Sequence, residues 1–248
     1  MEGSPPKILP VKPLPKPKPK KILHTNLPDL PCIMILVAPT KSGKTVCLTN
    51  LLLRDEFYKD VHDNVTIFSN TIESDESGRF LKQACDCYVG YDDHVLGGII
   101  EQQKKFSNED RPFIGLLFDD ILGSVKRSSY LNSLVTRSRH FGVGLLAISV
   151  QSFKALGPTI RNNCNAFICM NLQNMSELDK ISAEYNGMFG GDKKFRQIYA
   201  KATEERYGFL YLDLQSNPAR AFRNFEVQLA EGDNLLFDDG SIELKIPE

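Results

Sequence analysis

Short apolar runs alternate with amphipathic stretches between residues 32 and 214. Helical candidates lie at 44–57, 93–107, 127–140, 176–187 and 192–203. Continuous apolar strands separated by helices are typical of a parallel sheet that is covered on both faces. The pattern therefore predicts an α/β fold with a central, mostly parallel sheet flanked by helices. The strand candidates are CIMILVA (32–38), VTIFSN (65–70), FIGLLFDD (113–120), VGLLAISV (143–150), AFICMNL (166–172) and GFLYLDL (208–214).

The two ends of the chain lack this alternation. Residues 1–28 are rich in proline and lysine, and proline removes backbone donors and fixes φ, so we expect a disordered tail there. The folded domain is predicted to span residues 29–228. Residues 229–248, which include GDNLLFDDG, are predicted to form an acidic, loop-like tail.

Composition and charge narrow the class of protein. The chain has 248 residues, of which 42% are hydrophobic and 25% charged, and its six cysteines show no metal-binding spacing. No run approaches the roughly 20 apolar residues of a membrane-spanning helix, and no secretory signal precedes the domain. We therefore expect an intracellular protein with free thiols and no membrane-spanning segment.

Charge is distributed unevenly along the chain. The net charge is −1, but residues 1–22 contain six lysines against Glu2 alone, a local charge of +5, which leaves −6 for the remainder. A polyanion contact made by the folded part must therefore come from a local patch. The tail itself is either a spacer or a basic arm that touches nucleic acid or a partner.

The strongest chemical signal lies between the first apolar run and the first helical stretch. A loop in this position turns its amides inward, and the N-terminus of the following helix adds partial positive charge, so the loop binds phosphate. Gly43 lets the backbone approach the phosphates, Lys44 reaches the β- and γ-phosphates, and the Thr45 hydroxyl coordinates Mg²⁺. This predicts a site for ATP and Mg²⁺. The loop consists of Ala38, Pro39, Thr40, Lys41, Ser42, Gly43, Lys44 and Thr45, with Ala38 in place of the usual first glycine.

Two further strand ends carry polar residues suited to nucleotide hydrolysis. Asp119 and Asp120 end the run FIGLLFDD, where a buried strand would hold them beside the phosphates. We assign Asp119 to Mg²⁺ and Asp120 to polarising the attacking water; the alternative is that the pair caps the following turn. The run VGLLAISV leads to Gln151, which would orient water and sense the γ-phosphate, or else be a polar loop residue.

The order of these blocks resembles that of a known family. APTKSGKT, LLFDD, TRSRHFGVG, AISVQ and GPTIRNNCNAF are similar to the genome-packaging ATPases of large DNA viruses, the poxvirus type within the FtsK–HerA superfamily. The similarity covers roughly residues 30 to 215. It implies a P-loop NTPase domain of the RecA-like (ASCE) class, with an acid after the metal aspartate. Asp120 takes that position here, with a shorter side chain than the usual glutamate.

The same resemblance implies partners and a location. It indicates a homo-oligomeric ring, a hexamer or pentamer, that threads double-stranded DNA and drives it into a capsid. Viral capsid or portal-vertex proteins would then be docking partners, and the protein would act in the host-cell cytoplasm (the viral factory) or in the virion.

A ring motor usually completes its site with an arginine from the neighbouring subunit. Arg137, Arg139 and Arg161 are the candidates, and the first two, being two residues apart, cannot both serve from one helix face. DNA contacts would be electrostatic and independent of sequence. The candidate contacts, each of which is otherwise ordinary solvated surface, are Lys193, Lys194, Arg196 and Lys201, or Lys104 and Lys105.

Three functions compete for this sequence. The first is an ATP-hydrolysing DNA translocase that packages a viral genome. The second is a P-loop module that binds nucleotide to regulate or scaffold without pumping, and the third is a phosphotransferase that acts on a small acceptor. The pair Asp119 and Asp120, together with Gln151, favours activation of water over transfer to an acceptor.

Overall fold

The computed structural model describes residues 26–73, 76, 78–121 and 129–237. Its helices are α1 (Lys44–Leu53), α2 (Gly78–Ala84), α3 (Asp93–Lys105), α4 (Ser129–Arg137), α5 (Pro158–Asn162), α6 (Met175–Tyr185) and α7 (Asp192–Ala202). Its strands are β1 (Cys32–Val37), β2 (Asn64–Ser69), β3 (Asp86–Val89), β4 (Ile114–Asp119), β5 (Val143–Val150), β6 (Ala166–Met170), β7 (Phe209–Asp213), β8 (Arg220–Arg223), β9 (Val227–Glu231) and β10 (Asn234–Leu235).

All ten strands belong to one sheet, in the order β10-β9-β8-β7-β6-β1-β5-β4-β2-β3. The six strands from β6 to β3 run parallel to one another and form what we call the parallel block. The four strands from β7 to β10 each pair antiparallel with their neighbours and form the antiparallel wing. The carboxyl ends of the parallel strands share one edge of the sheet, called here the carboxyl edge, and the opposite edge is the amino edge.

Alternate residues of the central strand β1 pack on opposite faces of the sheet, as the two-residue period of a strand requires. Met34 and Leu36 lie on the face covered by α1 and α2, whereas Ile33 and Ile35 lie on the face covered by α3 to α7. Every residue of β1, β4 and β5 is buried. The central strands therefore have no polar face, which explains why they appear in the sequence as unbroken apolar runs.

The sequence-based fold class is confirmed, and the six apolar runs coincide with β1, β2, β4, β5, β6 and β7. The last of these strands differs from the parallel arrangement of the others, because β7 runs antiparallel to β6. The helical candidates coincide with α1, α3, α4, α6 and α7, although α1 ends earlier, at Leu53. Five short elements were not predicted: α2, β3, β8, β9 and β10.

The domain boundaries differ from those the sequence suggested. Strand β9 crosses the expected boundary at residue 228, and β10 extends the sheet to Leu235, so the start of the expected acidic tail is part of the sheet. At the other end, Leu27 is buried and the Asn26 side-chain amide donates to the Phe225 carbonyl at 3.0 Å. The remaining parts of the two expected tails, residues 1–25 and 238–248, lie outside the described residues.

Two smaller expectations concern thiols and membranes. All six cysteines are free, and burial raises the pKa of the Cys47 thiol to about 12, so this thiol stays protonated at neutral pH. Among the helices described, none combines the length and the apolar character that crossing a membrane requires.

Candidate active site

The loop between β1 and α1 lies at the carboxyl edge of the sheet. Its backbone leaves the strand at Ala38, whose amide still donates to the Val150 carbonyl at 3.0 Å. Lys41 and Gly43 have φ values of 64° and 94°, in the left-handed region, and these two residues turn the chain back towards α1. Ala38 is fully buried, so a methyl group fits where this type of loop usually has glycine. The other side chains of the loop are half-buried or exposed: Pro39, Thr40, Ser42 and Thr45.

The N-terminus of α1 is free to bind an anion. Gly43 occupies the N-cap position, no side chain caps the helix, and no acidic residue lies in its first turn. The first amide groups of a helix have no intrahelical acceptor, and the helix dipole makes this end partly positive. A phosphate at this place would satisfy the amides that the sequence leaves uncapped.

Lys44, the first residue of α1, connects the loop to the acidic end of β4. Its ammonium lies 3.2 Å from Asp119 Oδ1 and also donates to Asp120 Oδ2. Lys44 and Asp119 are both buried. Buried charges of opposite sign stabilise one another only when they are paired. Removal of the Lys44 cation would leave the buried Asp119 carboxylate without its partner.

Asp119 lies within a row of polar side chains on three adjacent strands. Ser69, Asp119 and Ser149 are aligned across β2, β4 and β5, and Ser69 Oγ donates to Asp119 Oδ2 at 3.1 Å. Ser149 Oγ is buried and has no hydrogen-bond partner among the described residues. A carboxylate and hydroxyls are the hard oxygen ligands that Mg²⁺ prefers, so the chemistry of this row fits a magnesium ion.

Asp120 is held in an uncommon backbone conformation. Its φ is 53°, its amide donates to the Ser149 carbonyl at 3.0 Å, and its carbonyl accepts from the Asn70 side-chain amide at 3.0 Å. Gln151 Nε2 donates to Asp120 Oδ2 at 3.2 Å. Strained residues of this kind are maintained by their surroundings and concentrate at functional sites. Lys44, the two aspartates and Gln151 thus form one cluster at the end of the phosphate loop.

Two residues that support this cluster were missed at the sequence level. Asn70 ends the run VTIFSN, and a polar residue directly after an apolar strand is the only feature of the sequence that indicates a role for it. Glu177, in the first turn of α6, is buried and accepts from the Phe153 amide at 2.7 Å and from Ser152 Oγ at 3.1 Å. It thereby fixes the chain directly after Gln151, and no local pattern indicated this contact.

The three candidate arginines do not join the cluster. Arg137 ends α4 and Arg139 lies in the following 3-10 turn; both are exposed and make no ion pair with the described residues. This turn leads directly into β5 at Val143, which is at the amino edge. Arg161 instead pairs with Glu184 at 3.1 Å and lies over the Phe153 ring at 5.4 Å.

Most of the candidate DNA-contacting cations are already engaged within the chain. Lys194 donates to the Asp233 carbonyl at 2.8 Å, and Lys104 pairs with Glu101 at 2.6 Å. Arg196 pairs with Asp192 and Asp179, and Lys201 pairs with Glu204. Among the candidates, Lys105 and Lys193 are exposed and make no ion pair with the described residues.

Comparison with known proteins identified a family and several structural neighbours. The family model described as "Poxvirus A32 protein" matches residues 20–199. B204, the DNA-packaging ATPase from Sulfolobus Turreted Icosahedral Virus, superposes with a TM-score of 0.56 at 17% identity, over 77% of this chain and 96% of that chain. B204 from Sulfolobus turreted icosahedral virus 2, in complex with AMPPCP, superposes with a TM-score of 0.51 at 20% identity, over 77% of this chain and 96% of that chain.

A more distant neighbour has the same architecture. The cytoplasmic domain of the Thermomonospora curvata type VII secretion ATPase EccC gives a TM-score of 0.52 at 12% identity, over 77% of this chain and 25% of that chain. A search of curated proteins found no match to the sequence. At these identities the structural likeness establishes the fold, which is that of a P-loop ATPase.

Proposed function

The chain belongs to the poxvirus A32 protein family and is a P-loop ATPase, and from that premise we propose that it couples ATP hydrolysis to the movement of double-stranded DNA into a viral capsid. One observation carries the hydrolytic part of this proposal. Three separate stretches of the sequence place Lys44, Asp119, Asp120 and Gln151 in a single cluster beside the phosphate loop.

The ion pairs of Lys44 define the first step of the proposed mechanism. When the triphosphate enters the loop, the uncapped amides of α1 bind its phosphate oxygens, and the Lys44 ammonium moves from the two carboxylates to the β- and γ-phosphates. Asp119 is then free to serve, with Thr45, as a magnesium ligand. The metal, when bound, neutralises charge that develops on the phosphate oxygens.

The departure of Lys44 also frees Asp120 for its part in hydrolysis. Its Oδ2 then polarises a water molecule for attack on the γ-phosphorus and accepts a proton as the bond to ADP breaks. Gln151, which already donates to the same oxygen, orients that water. The buried Glu177 keeps Gln151 in place because it binds the two residues that follow.

The positions of the arginines support a site completed by a neighbour. Arg137 and Arg139 are exposed near the amino edge, whereas the phosphate loop lies at the carboxyl edge, so neither can reach the phosphates of its own chain. In a homo-oligomeric ring one of the two would face the nucleotide of the adjacent subunit, where an added cation stabilises the transferring phosphoryl group. Arg161 is less suited to this role, because Glu184 and Phe153 hold it within the chain.

DNA binding and docking form the remaining parts of the proposal. We assign the electrostatic contact with DNA phosphates to exposed cations such as Lys105 and Lys193 and to the basic N-terminal segment. The docking partners would be capsid or portal-vertex proteins, in the viral factory of the host cytoplasm or in the virion.

The test is ATP turnover with and without DNA. Purified protein with Mg²⁺ should release phosphate from ATP faster when linear double-stranded DNA is added, and particle size should increase with nucleotide as subunits assemble. Hydrolysis that is indifferent to DNA would count against a motor. A fully active monomer would exclude an arginine supplied by a neighbour.

A further inference from the structure

The loop between α7 and β7 carries an exposed aromatic side chain, and packing in the core does not explain the position of this side chain. Tyr207 is 57% exposed, so its ring gains little from burial, yet its backbone lies in the left-handed region with φ of 66°. Bulky residues rarely adopt this conformation, and surrounding contacts must impose it where it occurs. The conformation of the loop, and not burial, therefore holds the ring in its position.

Several contacts hold this loop in place. The Gly208 amide donates to the Glu205 carbonyl at 3.0 Å, which closes a turn around Tyr207. Arg223 of β8 pairs with Glu204 at 3.0 Å and with Glu205 at 2.9 Å. The antiparallel wing thus fixes the loop from one side while the loop extends towards the parallel block.

The Tyr207 ring lies against the phosphate loop. A Cβ atom placed on Gly43 would lie 3.1 Å from Tyr207 Cδ1, so the ring lies against the backbone that precedes Lys44. The Arg206 guanidinium lies over the same ring, 4.9 Å from its centroid. The ring therefore lies against Gly43 and beneath a cation, while more than half of the surface of Tyr207 stays exposed.

The strand order indicates which part of a nucleotide would meet this ring. Asp120 and Gln151 follow β4 and β5, on one side of β1, whereas Tyr207 directly precedes β7, on the other side of β1 beyond β6. If the γ-phosphate lies beside Asp120, as the proposed function requires, the nucleoside at the opposite end of the triphosphate points towards β6 and β7. Ligands of α/β sheets bind in the crevice at this edge.

We propose that the exposed face of Tyr207 stacks on the purine base of the bound nucleoside triphosphate, with the Arg206 guanidinium on the opposite face of the ring. Aromatic rings stack on bases without needing a particular hydrogen-bond pattern, and a cation on the far face adds to the attraction. This assignment rests on the proposed function, because it takes the phosphate loop to be the triphosphate site.

A unique fluorophore makes the stacking directly observable. The chain contains no tryptophan, so Tyr207→Trp introduces a single one at the proposed platform. The non-hydrolysable analogue AMPPCP should quench the emission of this tryptophan, whereas tripolyphosphate, which has no base, should not. Tyr88→Trp, in the strand at the far end of the sheet, is the matched control and should respond to neither ligand.

Calorimetric titration of the same two ligands tests the energetic contribution. Tyr207→Ala should bind AMPPCP about tenfold more weakly than the wild type and bind tripolyphosphate equally well, while Tyr207→Phe should keep both affinities. Unchanged AMPPCP affinity in Tyr207→Ala, or an equal loss for both ligands, would overturn the stacking role. Wild-type protein that binds neither ligand would overturn the proposed function itself.

Discussion

The parallel block and the antiparallel wing meet at the phosphate loop but build their parts of the site in different ways. The block contributes charged groups that are buried and paired, such as Lys44 and Asp119. The wing contributes an exposed ring, Tyr207, on a loop held by surface ion pairs. Burial makes each charge in the block indispensable to its partner, whereas contacts at the edge of the wing each contribute modestly.

This contrast divides the expected roles. Groups that act on the γ-phosphate require fixed positions and a low dielectric, which the carboxyl ends of buried parallel strands provide. Recognition of a base requires an accessible flat surface, which a loop between a helix and an edge region provides. Changes in the block should therefore affect turnover, and changes in the wing should affect nucleotide affinity.

The largest effect is expected from Lys44→Ala. The change removes the cation that would bind the β- and γ-phosphates and leaves Asp119 and Asp120 facing each other, so ATP turnover should fall by at least about 100-fold. The control is Lys59→Ala, which removes one positive charge from the surface and should leave turnover near wild type. Phosphate release assays measure both variants. Comparable turnover in Lys44→Ala and wild type would contradict the role assigned to the block.

Asp120→Asn should produce the next largest effect. The amide keeps the shape of the side chain but is a poor proton acceptor, so turnover should drop about 100-fold while AMPPCP still binds. The control is Asp110→Asn, on the surface, which should change neither turnover nor AMPPCP binding. Loss of turnover without loss of AMPPCP binding would show that Asp120 acts in hydrolysis and not in nucleotide binding. An active Asp120→Asn protein would move the activation of water to another residue.

The block could be predicted from the sequence far better than the wing. Asp119, Asp120 and Gln151 each lie at the end of an apolar run, and strands buried on both faces produce such runs. The phosphate loop between CIMILV and a helical stretch was equally clear. The predicted strands of the block therefore agree with the structure to within a few residues, and the residues at their ends meet as the sequence suggested.

The wing could not be predicted in the same way. Strand β7 is apolar throughout, but hydrophobicity does not encode strand direction, so its antiparallel pairing with β6 was not foreseen. Strands β8 and β10 have only four and two residues, too few to show a period. The contact of Tyr207 with Gly43 joins residues far apart in sequence, and the contact of Glu177 with Phe153 depends equally on tertiary packing.

The stability of the two regions should also respond differently to acid. Burial lowers the pKa of His62 from 6.5 to about 4, although Asp63 opposes this shift, and the ring stacks on Phe113 in the block. Below about pH 7 the unfolded chain binds a proton that the folded chain excludes, so the free energy of unfolding should fall by about 3 kcal/mol as the pH drops to 4 and change little at higher pH. Urea unfolding across this range measures the change.

His62→Phe is the variant that isolates this contribution. It keeps a stacked ring without a titrating group, so the slope of the unfolding free energy between pH 6.5 and pH 4 should be smaller than in the wild type. In the wing, burial raises the pKa of Asp213, but hydrogen bonds from Ser216, Arg220 and Gln215 outweigh it and lower the pKa below 3.8. The stability from Asp213 should therefore be lost only in stronger acid.

The smallest effect is expected from Arg223→Ala, which tests whether the wing controls affinity through the Tyr207 loop. The change releases Glu204 and Glu205, and surface ion pairs are worth up to about 1 kcal/mol, so AMPPCP binding should weaken about threefold. Turnover at saturating ATP should stay near wild type, because the groups that act on the γ-phosphate are untouched.

Arg220→Ala provides the matched control within the same strand. Arg220 pairs with the buried Asp213 at 2.7 Å, at the end of β8 away from the Tyr207 loop. Its removal should lower the unfolding free energy more than Arg223→Ala does, because it leaves a buried carboxylate without its cation, yet AMPPCP affinity should not change. Equal losses of affinity in the two variants would mean that the wing affects the nucleotide only through its overall stability, and the division between chemistry in the block and base recognition in the wing would then fail.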